Sequence, residues 1–244
     1  MSSDASSETL AAVPSSLAGR IKAVAFDLDG LMFNTEEVFQ RAGTELLARR
    51  GKPAPPELFA AMMGRRAREA QQVMIDRMQL TDTVDELQAE TSDLFDALLD
   101  DVLAPMPGLM PLLDLLEERS IPKAVCTSSG TRYAHDLLRR YDLVDRFAFV
   151  LAAEDVTHGK PHPEVYATAA VRLGAAAEHV LVLEDSAHGI ASGNAAGAVT
   201  AAVPHAHSCG QNYDPADLIL KTLADPRVPS LLTSSRLSSS SPAR

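Results

Sequence analysis

The chain has 244 residues, 46% of them hydrophobic and 23% charged, which is ordinary for a folded globular protein and excludes the disordered and fibrous classes. Asp plus Glu outnumber Lys plus Arg by 33 to 22, and the resulting net charge of −11 excludes the basic footprint of a nucleic-acid binder. Two widely separated cysteines, Cys126 and Cys209, argue for reduced thiols in a cytoplasmic protein, and no apolar run approaches the roughly 18 residues of a membrane span.

In chain order, Ser-rich residues 1–19 carry no basic start followed by an apolar stretch, so they read as a disordered tail and not as a signal peptide. IKAVAF at 21–26 is a buried-strand run that ends abruptly in Asp27-Leu28-Asp29-Gly30. From Glu36 to Leu103 no strand-like run appears. Val84, Leu87, Thr91, Leu94, Leu98 and Val102 form one helical stripe there, opened by a Thr83-x-x-Glu86 capping box. Residues 36–104 therefore read as an all-helical insert on two hinge segments, with Pro105-Met106-Pro107-Gly108 marking the return.

Further strand runs follow at IPKAVC (121–126), RFAFVL (146–151), HVLVL (179–183) and AVTAAV (198–203). Helices are predicted between them: Thr131 to Arg140 capped by Ser128-Ser129-Gly130, another from Pro163 toward Leu173, and a third from Ser186 to Gly197. Alternating strands and helices predict an open α/β fold with a parallel sheet. Its core is drawn from 20–35 and 105–232, and residues 233–244 form a second disordered tail.

Function is legible at the strand ends, because ligands of open α/β sheets bind beyond the carboxyl ends of the strands. Asp27 and Asp29 follow the first strand, Thr127 and Ser128 the second, Glu184 and Asp185 a later one. Four carboxylates gathered there need a cation, and an all-oxygen set suits a hard divalent ion, most often Mg²⁺. Lys160, in the proline-braced loop His158-Gly159-Lys160-Pro161-His162-Pro163, adds a positive charge, while Thr127, Ser128 and the helix opening after Gly130 offer an oxyanion cradle.

The combination suits phosphoryl transfer. A carboxylate approaching a phosphate is repelled by about 4 kcal/mol per charge pair at roughly 4 Å and an effective dielectric of 20, which the two cations offset. Asp27 then attacks phosphorus. Asp29, on the same side because residues i and i+2 share a face, exchanges protons, and Leu28 points inward. His158, His162 and His188 read as surface or supporting positions, since no partners at metal-ligand spacing accompany them.

FDLDGLMFNTE, AVCTSSG, GKPHPEVY and LVLEDSAHGIASGNAAG, in this order, resemble the four motifs of the haloacid dehalogenase superfamily, in the subgroup with a helical cap after the first motif that includes beta-phosphoglucomutase and phosphoglycolate phosphatase. The resemblance spans roughly residues 21–204. It implies a Rossmann-like parallel sheet beneath a mobile cap and Mg²⁺ as cofactor. Asp27 would be nucleophile and metal ligand, Asp29 general acid/base with its carbonyl on the metal, Thr127 and Lys160 phosphoryl holders, Asp185 a direct metal ligand and Glu184 one through water.

The second acid, Asp29, marks a phosphoryl-transfer member, since true dehalogenases of this fold lack it. Against a mutase, the chain has Phe39 where the mutases carry His, and Ala67 where they carry a cap Arg. Lys52, the only cap lysine, lies in a GKPAPP turn, which leaves little for phosphonate chemistry. Ser128, Ser129, Arg65 and Arg66 are the candidate substrate contacts, with Arg68 beside them. The reading is thus a Mg²⁺-dependent phosphatase for a small phosphorylated metabolite, cytoplasmic, with no nucleic-acid or membrane partner and a monomer expected. A phosphosugar mutase and a catalytically idle binding domain are its alternatives.

Overall fold

The structure, a computed structural model, describes residues 13–62 and 67–233. Its centre is a six-stranded, wholly parallel sheet of β1 (Ala23–Phe26), β2 (Lys123–Cys126), β3 (Val150–Leu151), β4 (Val180–Glu184), β5 (Val199–Ala202) and β6 (Leu218–Ile219), in the order β3-β2-β1-β4-β5-β6. The chain winds to one side of β1 through β2 and β3, then to the other through β4 to β6. The ends of β1, β2 and β4 therefore flank the crevice where the winding reverses.

Alternation along β1 explains its burial on both sides. Val24 and Phe26 join the apolar cluster containing Leu109, Leu112, Leu113 and Leu116 of α5 (Leu109–Glu118) and Leu137 and Leu138 of α6 (Thr131–Arg140). Ala23 and Ala25 face the other way, toward Val165, Tyr166 and Ala169 of α7 (Glu164–Arg172). Small residues on that side let α7 lie close to the sheet.

Between β1 and α5 lie α1 (Thr35–Arg49), α2 (Pro56–Met62), α3 (Ala67–Met78) and α4 (Val84–Val102). The capping box is formed, with Thr83 Oγ1 accepting from Glu86 N–H and Glu86 accepting from Thr83 N–H. The buried stripe of α4 runs through Leu87, Thr91, Leu94, Phe95, Leu99 and Val102, so Phe95 and Leu99 join it while Val84 and Leu98 stand half-buried beside it. The two connections to the sheet are clamped together. Asn34 donates from its side chain to Val102 O (3.0 Å) and accepts from Ala104 N–H (2.6 Å), and Phe33 bridges Pro105.

Four details differ from the sequence reading. The run 146–151 yields only the two-residue β3, since Arg146 closes a 3₁₀ turn and residues 147 and 148 form a bend, and Leu218–Ile219 add a strand too short to show periodicity. Residues 14–19, read as tail, form turns in which Leu17 is buried and Gly19 N–H bonds Ser230 O, held by the parallel bridge between Ile21 and Leu232. The helix α6 has no side-chain cap from the Ser128-Ser129-Gly130 turn. Glu154 instead accepts from Thr131 N–H (3.0 Å) and Thr131 Oγ1 (2.9 Å), which leaves Ser129 free for the site. Among the described residues no helix is long and apolar enough to cross a membrane.

The C-terminal segment is pinned by Asp225, buried at 3% exposure, which accepts from Arg227 Nε (2.9 Å) and Nη2 (2.8 Å) and from the Lys221 and Arg227 N–H groups. The guanidinium outweighs burial and holds the Asp225 carboxyl down at about 2. A carboxyl lowered on folding stabilises above its unfolded value and loses that contribution as pH falls through the folded one. Asp225→Asn is therefore expected to lower stability at neutral pH by about 2 kcal/mol. Urea titrations should show the deficit fading between the ordinary 3.8 and about 2, and a deficit independent of acid would contradict the assignment.

Candidate active site

The turn after β1 places both aspartates. Gly30 takes a left-handed φ of +79° and its N–H bonds Phe33 O, while Met32 and Phe33 N–H return to Leu28 O. Leu28, Leu31, Met32 and Phe33 are buried beneath this turn, which raises Asp27 and Asp29 at the rim. A Cβ on Gly30 would lie 2.5 Å from Asp185 Oδ2, so only glycine lets the turn pass over the end of β4.

Asp27, Glu184 and Asp185 come together there, all buried, with carboxylate oxygens within 4.8 Å of one another. Lys160 reaches in from the loop before α7, its side chain 6% exposed. Its Nζ donates to Asp27 Oδ1 (2.5 Å), Glu184 Oε1 (2.7 Å) and Cys126 O (2.9 Å). Glu184 is fully engaged: Oε1 also accepts from Tyr166 OH (2.7 Å), and Oε2 accepts from Ser186 Oγ (2.9 Å) and from the Asp185 and Ser186 N–H groups. Gly189 provides its space, since a Cβ there would fall 1.7 Å from Glu184 Oε1. Asp185 Oδ2 lies 2.9 Å from His205 Nε2.

Asp29 is held apart from this trio. Its Oδ1 accepts from Tyr133 OH (2.8 Å), and its Oδ2 from Ser129 Oγ (2.7 Å) and Thr127 Oγ1 (3.3 Å). The sequence reading gathers four carboxylates; three converge, and the fourth turns toward hydroxyls. Thr127 Oγ1 also accepts from Ser129 N–H (2.9 Å), and Ser128 stands exposed at the rim. Arg65 and Arg66 lie outside the described residues, and Arg68 pairs with Asp85 on the surface.

The electrostatics follow from one buried cation among several acids. Burial, and then the Glu184, Asp185 and Asp29 carboxylates, push the Asp27 carboxyl well above its ordinary value against the pull of Lys160. Burial and Glu184 do the same to Asp185. Burial alone would push the Lys160 ammonium down, but Asp27 and Glu184 outweigh it and hold the group above the ordinary lysine range. A buried, all-oxygen donor set with this surplus of negative charge fits a hard divalent cation such as Mg²⁺. Asp27 and Asp185 have oxygen to offer it, whereas Glu184, already accepting from Lys160, Tyr166 and Ser186, would meet the ion only through a water that takes the place of one of those donors.

Sequence reasoning missed Tyr133, Tyr166 and His205. Tyr133 and Tyr166 sit on the inward faces of α6 and α7, and a tyrosine so placed needs a hydroxyl partner, which was the available signal. His205, in a loop beyond β5, left none.

The haloacid dehalogenase-like hydrolase pattern matches residues 24–203, from β1 to the end of β5, and the chain belongs to that family. It is 29% identical over 177 residues to a phosphorylated carbohydrates phosphatase of Thermotoga maritima, covering 72% of this chain and 82% of that one. It is 32% identical over 212 residues to validoxylamine A 7'-phosphate phosphatase of Streptomyces hygroscopicus, covering 85% and 97%. Among solved structures, a hydrolase of the same family from Deinococcus radiodurans, crystallised with phosphate and sodium, superposes with a TM-score of 0.75 at 25% identity over 88% of this chain and 99% of that one.

Proposed function

We propose that this phosphoric monoester hydrolase uses Mg²⁺ and an aspartyl-phosphate on Asp27 to release phosphate from a small phosphorylated metabolite, a sugar phosphate or a compound of similar size. The observation that carries the reading is the division of labour between two acids. Asp27 is fixed beside Lys160 at the buried centre, while Asp29 is oriented separately by three hydroxyls. The activities named for the two curated relatives, on phosphorylated carbohydrates and on validoxylamine 7'-phosphate, support the substrate class.

In the first half-reaction a carboxylate oxygen of Asp27 bonds to phosphorus as the bond to the leaving oxygen breaks, and Asp29 gives that oxygen a proton. In the second, Asp29 takes a proton from water, the water oxygen bonds to phosphorus, and the bond to Asp27 breaks. Lys160 and Thr127 hold phosphoryl oxygens. Mg²⁺, held by Asp27, Asp185 and the Asp29 carbonyl with Glu184 through water, would neutralise phosphate charge. Residues 36–104 act as the cap that excludes water during the first step, hinged at the Asn34 clamp. Every group comes from one chain, so a monomer suffices, and the two free thiols suit a reducing cytoplasm.

The test is phosphate release from a panel of phosphorylated sugars, nucleotides and short acids, with Mg²⁺ and with a chelator in its place. Selective Mg²⁺-dependent release is expected. Isomer formation from a sugar phosphate with a bisphosphate present would make the chain a mutase, and ligand binding without turnover would make it an idle domain. Within the mechanism, Tyr133→Phe removes the donor on Asp29 Oδ1 and is expected to lower kcat about tenfold with KM little changed, since one hydrogen bond to a charged group is worth about 1.5–3 kcal/mol. An unchanged kcat would remove Tyr133 from the positioning of Asp29.

A further inference from the structure

The loop that sends Lys160 inward turns two imidazoles outward. The side chain of His158 is 63% exposed and that of His162 49%, and the His162 N–H to Gly159 O bond (3.0 Å) folds the loop so that the two rings lie 4.5 Å apart, centre to centre. Glu164, the first residue of α7, reaches back to them. Its Oε1 accepts from Thr157 N–H (2.8 Å) and its Oε2 from His158 N–H (2.9 Å), so backbone groups fix the carboxylate beside the His158 ring. These N–H groups hold the Glu164 carboxyl below its ordinary value, which keeps it anionic.

Glu164 Oε2 lies 3.1 Å from His158 Nδ1 and 3.8 Å from His162 Nδ1. Two ligand atoms at the usual 2.0–2.1 Å from a tetrahedral ion stand about 3.3 Å apart, so the two carboxylate–imidazole spacings bracket that value before any ion arrives, and the three groups offer atoms within 4.8 Å of one another. We propose that His158, His162 and Glu164 form a second cation site, for Zn²⁺ or a similar borderline transition ion, on the outer side of the catalytic lysine loop.

Ligand chemistry separates this site from the acidic centre. Two imidazole nitrogens and one carboxylate suit Zn²⁺, Ni²⁺ or Cu²⁺, whereas Mg²⁺ prefers the all-oxygen set of Asp27 and Asp185. Each carboxylate oxygen has two lone pairs, so Oε2 can keep its bond to His158 N–H and still ligate. The ion displaces only the long contact from Glu164 N–H to His162 Nδ1 (3.3 Å) and the proton between His158 Nδ1 and the carboxylate. Pro161 and Pro163 restrict the loop, so little order remains to be imposed on binding.

The test is calorimetric titration of Zn²⁺ into the full chain with saturating Mg²⁺, repeated on the double variant His158→Ala/His162→Ala and, separately, on Asp185→Asn. Wild type and Asp185→Asn are expected to bind one Zn²⁺ that the double variant binds at least tenfold more weakly. Co²⁺ offered instead should give visible d–d absorption in the first two proteins only. The double variant is expected to keep its circular dichroism and its Mg²⁺-dependent turnover, because neither imidazole touches the acidic centre. Equal Zn²⁺ affinity in wild type and double variant, or loss of binding in Asp185→Asn alone, would overturn the proposal.

Discussion

Asp27→Asn is expected to abolish turnover, with kcat lower by on the order of 10⁴-fold or more, while the chain stays folded. The amide matches the carboxylate in size and can still accept from Lys160 Nζ, but it cannot form the phosphoryl bond. Stability separates loss of chemistry from loss of fold. A carboxyl raised on folding contributes stability below its unfolded value, and that contribution is lost as pH rises through the folded value. Asp27 is raised in this way by burial and by its acidic neighbours, so at neutral pH its ionised form is a cost that the amide removes. In chelator the variant is expected to melt no lower than wild type, with the difference moving in its favour as pH rises. Phosphate release and melting curves measured together decide the matter. Retained Mg²⁺-dependent turnover would sink the nucleophile assignment, and a collapse in melting temperature would attribute the lost activity to unfolding.

The contrast between what the chain discloses and what it hides has a physical basis. β1, β2, β4 and β5 are legible because both faces of each are covered, which makes them short, mostly apolar runs broken only by Lys123, Thr200 and the terminal Glu184. The abrupt polarity where each run ends then marks Asp27, Thr127 and Glu184 as site residues at the strand ends. β3 and β6 are two residues long, below the length at which any period can register. The orientation of Asp29 is illegible for another reason. It depends on Ser129 and Tyr133, about a hundred residues away, and no local pattern says which hydroxyl of a helix-opening turn will point at an acid and which will cap the helix. The outward imidazoles were missed likewise. His158 and His162 stand four residues apart, a spacing that zinc sites use, and Glu164 follows two residues on, but spacing alone does not say that the two rings turn outward together or that the carboxylate reaches back to them.

Replacing Lys160 by Met is expected to lower turnover by about 10³-fold and to destabilise the metal-free protein by about 3–5 kcal/mol, the usual consequence of removing one partner from a buried ion pair. Lys160 is the buried cation that touches both Asp27 and Glu184, and Met fills a similar volume without charge. Its ammonium is held above the ordinary lysine range, so its contribution is fully present at neutral pH and is lost only in strong base. Without it Asp27 and Asp185, already raised by burial, move higher still. The deficit should therefore shrink as pH falls and those groups protonate. Mg²⁺ provides the decisive comparison. If the carboxylates share their neutralisation between the lysine and a bound cation, Mg²⁺ will raise the melting temperature of Lys160→Met by more than it raises that of wild type, because the ion then faces the acids alone. Equal shifts in the two proteins would mean that the lysine and the metal do not act on the same charges, and the joint neutralisation of nucleophile and phosphate on which the mechanism depends would have to be abandoned.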